Sequence, residues 1–174
     1  MNYADIKKVD SANGPGVRVS LFVSGCRLNC KGCFNKEAQD FNYGKPFTHE
    51  TIQTIIEYLR PEYIDGLTVL GGEPFERENQ LAVVELLRKV RAEYGNSKTI
   101  WVYSGYLFDK DMLNGKLKDW RYTREILSYT DVLVDGPFIL ELKDLRLKFR
   151  GSSNQRIILV GQSLKKNDII LWEN

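Results

Sequence analysis

Three cysteines, Cys26, Cys30 and Cys33, stand in a Cys-x-x-x-Cys-x-x-Cys arrangement and are the only ones in the 174-residue chain. Thiolates are soft ligands that select zinc, copper(I) or iron-sulfur clusters. An odd number of cysteines cannot all pair internally, so a secreted disulfide framework fits poorly and thiolate ligands in a reducing compartment fit better. A closed structural zinc site usually wants a fourth protein ligand, and the sole histidine, His49, falls in the first turn of an expected helix. A zinc-stabilised binding module using the cysteines and His49 stays open beside an iron-sulfur reading, as do plain buried thiols. On a four-iron cluster, three cysteine ligands leave one iron free to chelate a small molecule.

A second unusual group, Gly71-Gly72-Glu73, follows the short apolar run Leu67–Leu70. The glycines remove side chains where backbone must approach a ligand, or they form an ordinary strand-to-helix turn with Glu73 near the helix start. Gly25, Asn29 and Gly32 give the cysteine loop the freedom to bend around a bound object.

These groups need elements to hold them. Val17, Val19, Leu21 and Val23 alternate with Arg18, Ser20 and Phe22, which predicts a first strand entered through Gly14-Pro15-Gly16. Thr48 can cap a helix with Ile52, Ile55, Ile56 and Leu59 on one face, ending near Pro61. A strand at Leu67–Leu70 precedes a helix carrying Val83, Val84, Leu87 and Val90, with Gly95 as its stop. Further strands are expected at Thr99–Tyr103, Val132–Val134, Ile157–Val160 and Ile169–Trp172, with a weaker helix ending near Tyr129. The segment Asp109–Arg124 has no clear pattern. Alternating strands and helices predict an α/β domain with a largely parallel sheet, and the cysteine loop and Gly71-Gly72-Glu73 then share its carboxyl rim.

With 43% hydrophobic and 28% charged residues, residues 1–174 suit a single domain with a real core. The net charge is only +2, with no long basic or acidic block, so no nucleic-acid partner is expected. The first ten residues lack a signal-peptide apolar stretch and no run reaches the roughly 20 apolar residues of a membrane helix, so a cytoplasmic location without membrane contact is expected.

The cysteine spacing, followed by LTVLGGEP at Leu67–Pro74, resembles the radical S-adenosylmethionine superfamily. One departure is Gly32 before the last cysteine, where an aromatic residue is common, with Phe34 just after it. Gly14-Pro15-Gly16-Val17-Arg18, Cys33-Phe34-Asn35, Asp135-Gly136-Pro137-Phe138 and Arg150–Arg156 extend the resemblance to the glycyl-radical-enzyme activases, over residues 13 to 160. The resemblance implies an incomplete β/α barrel, a 4Fe-4S cluster on Cys26, Cys30 and Cys33, and S-adenosyl-L-methionine chelated at the open iron. It implies an enzyme that makes a glycyl radical on anaerobic ribonucleoside-triphosphate reductase, using an external one-electron donor such as a flavodoxin. A small-molecule radical enzyme of the deazapurine-forming kind shares the cysteines and the glycine turn and remains the alternative. A homodimer is compatible with either reading and required by neither.

The same resemblance places Gly32, Cys33, Phe34, Asn35, Gly71, Gly72, Glu73 and Ser104 around the cofactor. Asn35 then bonds its carboxylate or merely steadies the cysteine loop, and Ser104 reaches the ribose or belongs to a plain turn. Arg18 meets the cofactor carboxylate or the incoming partner backbone, or else points to solvent. Asp135-Gly136-Pro137 and Arg150–Arg156 serve the partner or form capped loops. Trp101, Tyr103 and Tyr106 are assigned to packing, and Lys143–Arg150 faces an acidic partner or water.

Overall fold

The computed structural model describes residues 1–173. Seven strands form one sheet: β1 (Asn2–Asp10), β2 (Arg18–Val23), β3 (Lys45–Pro46), β4 (Gly66–Gly71), β5 (Thr99–Tyr103), β6 (Val132–Asp135) and β7 (Arg156–Leu159). Their order is β3-β1-β2-β4-β5-β6-β7, with β2, β4, β5 and β6 parallel and β1, β3 and β7 antiparallel to their neighbours. The sheet is thus open, with β3 and β7 at its edges.

The helices are α1 (His49–Leu59), α2 (Arg77–Tyr94), α3 (Thr123–Tyr129) and α4 (Val160–Lys166). Thr48 caps α1 as expected: its side chain accepts from the Thr51 amide, and its own amide donates to the Thr51 hydroxyl. Period-two alternation in the strands sends Val19, Leu21, Val69, Ile100, Val102 and Leu133 into a core shared with the helices. The opposite face carries a smaller cluster of Trp101, Val132, Val134 and Ile157, covered by Phe149 and Trp172. Trp101 and Tyr106 are buried, so their assignment to packing holds. Within the described residues, no helix is long and apolar enough to cross a membrane.

Several local expectations are corrected. The first strand is β1, whose sequence NYADIKKVD has no clean alternation because it lies near the sheet edge and leaves most residues part-exposed. The strand expected to reach Val160 stops at Leu159, and Val160 begins α4. Ile169–Trp172 contributes only an isolated bridge, Leu171 to Ile158. A π-helical turn, Phe108–Leu113, leads into the unpatterned segment and is held by the Asp111 carboxylate accepting from the Leu107 amide at 2.8 Å.

Arg18 takes none of the roles expected of it. It is fully buried at the amino end of the parallel strands, where Arg18 pairs in register with Gly66. Its guanidinium donates to Thr68 Oγ1 (2.7 Å), Leu67 O (2.9 Å), Thr99 O (3.0 Å) and Thr99 Oγ1 (3.0 Å), and its Cζ lies 5.6 Å from the Trp101 ring centroid. A planar fork of donors ties the starts of β2, β4 and β5 together.

Candidate metal centre

β2 and β4 are parallel neighbours, and their last residues, Val23 and Gly71, are register partners. The cysteine loop and Gly71-Gly72-Glu73 therefore leave the sheet side by side. The cysteine loop closes on itself: the Gly25 amide donates to Ala38 O (2.8 Å) and the Cys26 amide to Gln39 O (3.1 Å). Asn29 (φ 49°) and Gly32 (φ 72°) supply left-handed turns between the cysteines.

All three thiols are free and part-buried. Burial pushes the Cys26 thiol up to about 12; the Leu28 amide opposes this, while the carboxylates of Glu73 and Glu76 add to it. Cys30 is also raised by burial, against the opposing Phe138 amide. Neither thiol ionises readily unless a metal displaces its proton. Among the described residues, no three or more His, Cys, Asp or Glu side chains are arranged around one ion position. His49 instead lies beside Gln53 of its own helix, Nε2 to Nε2 3.3 Å. The donor set, three soft thiols on one loop, fits a cluster offering each thiolate its own iron better than a single tetrahedral zinc.

Glu73 lies beneath this loop, fully buried. Its Oε1 accepts from the Phe75 amide and the Ser104 hydroxyl, both at 2.9 Å, and its Oε2 from the Gly105 amide at 2.8 Å. Burial raises its carboxyl to about 7 against these three donors, and nearby Glu76 adds to the rise. Glu73 thus joins the end of β4 to the loop after β5. Gly71 and Gly72 are needed for close approach, but to protein backbone. A Cβ on Gly71 (φ 109°) would fall 2.7 Å from Val23 N, and one on Gly72 2.7 Å from Gly25 O and Ala38 O.

Residues 12–158 match the family model described as a 4Fe-4S single cluster domain. The chain is 41% identical over 157 residues to the anaerobic ribonucleoside-triphosphate reductase-activating protein of Escherichia coli (strain K12), covering 89% of this chain and 96% of the relative. Proteins of the same name from Vibrio cholerae serotype O1 (40%; 90% and 97% covered) and Enterobacteria phage T4 (38%; 90% and 93%) are also similar. The chain belongs to the anaerobic ribonucleoside-triphosphate reductase-activating protein family.

The remaining residues expected around the family's cofactor spread over this rim. Asn35 Nδ2 is 3.5 Å from Gly71 O, so it steadies the cysteine loop against β4. Ser104 is buried; its hydroxyl donates to Glu73 Oε1 at 2.9 Å and accepts from the Tyr106 amide at 3.1 Å. Phe34 is exposed, its ring 4.9 Å from Phe138, and Gly32 faces Leu140.

Asp135-Gly136-Pro137 and Arg150–Arg156 are bound chiefly to each other. Arg156 pairs with Asp135 and, at 2.7 Å, with Asp109; Asn154 Nδ2 donates to Pro137 O at 2.8 Å and Gln155 Nε2 to Gly136 O at 3.0 Å. They build a wall beside the cysteine loop.

Sequence reading missed two anchors of that loop. The buried Asn79 Nδ2 reaches Ser24 O (3.0 Å), Gly25 O (3.4 Å) and Glu73 O (2.9 Å), binding both motifs to α2. Arg27 donates from its amide and guanidinium to Glu76 (2.9 and 2.8 Å) and stacks over Phe41 at 4.3 Å. The only available signal was position: both partners lie in the first turns after Gly71-Gly72-Glu73.

Proposed function

We propose that this chain is a cytoplasmic, single-domain activase that makes a glycyl radical on anaerobic ribonucleoside-triphosphate reductase. Cys26, Cys30 and Cys33 are its cluster ligands, and its sheet is the wall of an incomplete β/α barrel. The observation that carries the reading is the register of Val23 with Gly71, which brings the cysteine loop and Gly71-Gly72-Glu73 onto one rim of parallel strands. Family membership supports the partner, since the relatives are named for activating that reductase.

A reduced 4Fe-4S cluster bound here would supply the electron for one-electron cleavage of S-adenosylmethionine, the radical chemistry needed to take a hydrogen atom from a glycine Cα. The protein's share is orientation and shelter. Cys26, Cys30 and Cys33 would hold the cluster through their thiolates. Gly71 and Gly72 let the β4 end pack directly against the backbone of Val23, Gly25 and Ala38, and Glu73 fixes that segment through the Phe75, Ser104 and Gly105 donors. Asn35 reaches the same segment through Gly71 O. The electron comes from an external one-electron donor, for which a flavodoxin is suitable.

Reconstituted protein, S-adenosylmethionine, a strong reductant and the reductase, mixed anaerobically, should give the electron paramagnetic resonance doublet of a carbon-centred glycyl radical. The doublet should vanish without S-adenosylmethionine and in Cys30→Ala protein. Accumulation of 5′-deoxyadenosine with no radical on the reductase would redirect the reading to a small-molecule substrate.

A further inference from the structure

Beside the cysteine loop lies an apolar surface. Four of the chain's large exposed hydrophobics gather there: Phe34 (61% exposed), Leu140 (38%), Leu142 (41%) and Leu145 (85%). Contiguous apolar surface costs solubility and marks places where another molecule sits. The three leucines are held out by an ordered hairpin. The Ser153 amide donates to Leu142 O at 2.9 Å, Lys143 bridges Ser152, and the Asp144 amide reaches Gly151 O at 3.4 Å.

The hairpin is continuous with the cysteine loop. Leu140 lies over Gly32, where a Cβ would be 3.0 Å from its Cδ1, and Lys143 Nζ stands 5.0 Å from the Phe34 ring centroid. From Leu140 to Arg150 four cations face two carboxylates. Among the described residues, Lys143 and Lys148 have no carboxylate partner.

We infer that this hairpin is the docking platform for the reductase, receiving an apolar segment flanked by acidic residues on Leu142 and Leu145. The inference rests on the proposed function. Hydrogen abstraction acts only across van der Waals contact, so the partner's backbone must reach the cysteine loop, and the hairpin borders that loop. A small-molecule substrate needs no outward-held leucines. An electron donor transfers across a gap and needs charge more than an apolar anchor. The unpaired lysines favour an acidic flank on the occupant.

The test uses full-length, cluster-reconstituted L142E/L145E protein, with Leu164→Glu, on the far helix α4, as a control. Without reductase, chemically reduced L142E/L145E protein should form 5′-deoxyadenosine within twofold of the unsubstituted rate. With reductase, the concentration giving half the maximal glycyl doublet should rise at least tenfold, and should not change for Leu164→Glu. An unchanged half-saturating concentration overturns the platform. So does sedimentation showing that L142E/L145E only dissociates a homodimer while activation is kept. If unsubstituted protein cleaves S-adenosylmethionine but puts no radical on the reductase, the proposed function itself falls, and this occupant with it.

Discussion

Arg18 and Glu73 are both fully buried, and among the described residues neither has an ion-pair partner, yet they lie at opposite ends of the same sheet. At the amino end, burial pulls the Arg18 guanidinium down to about 10, still charged at neutral pH, and the backbone and threonine oxygens of β4 and β5 surround it. At the carboxyl end, burial pushes the Glu73 carboxyl up to about 7, so its charge is barely held. Ser24 Oγ and Asn79 Oδ1 near it are buried with no hydrogen-bond partner among the described residues, as is Ser20 Oγ on β2. A buried ion with every donor used closes a structure. One whose charge is only marginally held is the kind of cost that proteins retain where a ligand binds.

The comparison is tested most strongly at Arg18. Arg18→Met keeps most of the volume and strips the donors from Leu67 O and Thr99 O, which should cost about 4 kcal/mol. Urea unfolding of the metal-free protein measures that loss. The folded fraction should still take up its cluster and cleave S-adenosylmethionine at the normal rate; a large fall in the rate per folded molecule would break the division between the two ends.

At Glu73 the effect is carried by pH. Its folded value, about 7, lies above the ordinary 4.5, so the native state holds a proton that the unfolded chain has released. That contribution is full below 4.5 and is lost as pH rises to 7, about 3 kcal/mol in all. Unfolding of the metal-free protein at pH 5 and pH 8 should show the drop, and Glu73→Gln should flatten it. If the two proteins lose stability in parallel, Glu73 is not the titrating group.

Glu73→Gln also faces a geometric conflict, because its amide would point donors at the Gly105 N–H that Oε2 now accepts. The cost is about 2 kcal/mol. Because this carboxylate joins the loops after β4 and β5 at the site, the rate of 5′-deoxyadenosine formation should fall about tenfold, unlike that of Arg18→Met. Equal rates in the two variants would erase the distinction.

The two ends were not equally legible. The cysteines, Gly71-Gly72-Glu73 and the strands beneath them could be read because their signals are local: spacing, alternation and glycine. Arg18 could not, because its partners Thr68 and Thr99 are 50 and 81 residues away and become neighbours only when β2, β4 and β5 align. The bond from Ser104 to Glu73 was hidden for the same reason, since it spans 31 residues. β1 was hidden by its polar, edge-exposed sequence, and the π-helical turn by its dependence on the Asp111 cap and the buried Met112. Asn79 looked like one more polar residue on a long helix.

The smallest effect has the opposite sign. β7 runs antiparallel to β6, and Leu159 pairs with Val132, so α4 starts from the amino edge of the sheet, the Arg18 end. Gly161 is exposed in that helix, and a Cβ there would meet nothing within 4 Å. Its backbone is helical without need of glycine's freedom, so Gly161→Ala should stabilise the fold by about 0.5 kcal/mol through reduced unfolded-state entropy. Thermal unfolding would show a small rise while the activation rate stays unchanged. Gly71 gives the contrast at the other end, where the same added methyl would strike Val23 and separate the loops that carry the cysteines and Glu73. A loss of activation in Gly161→Ala would mean that the amino edge is coupled to the chemistry after all.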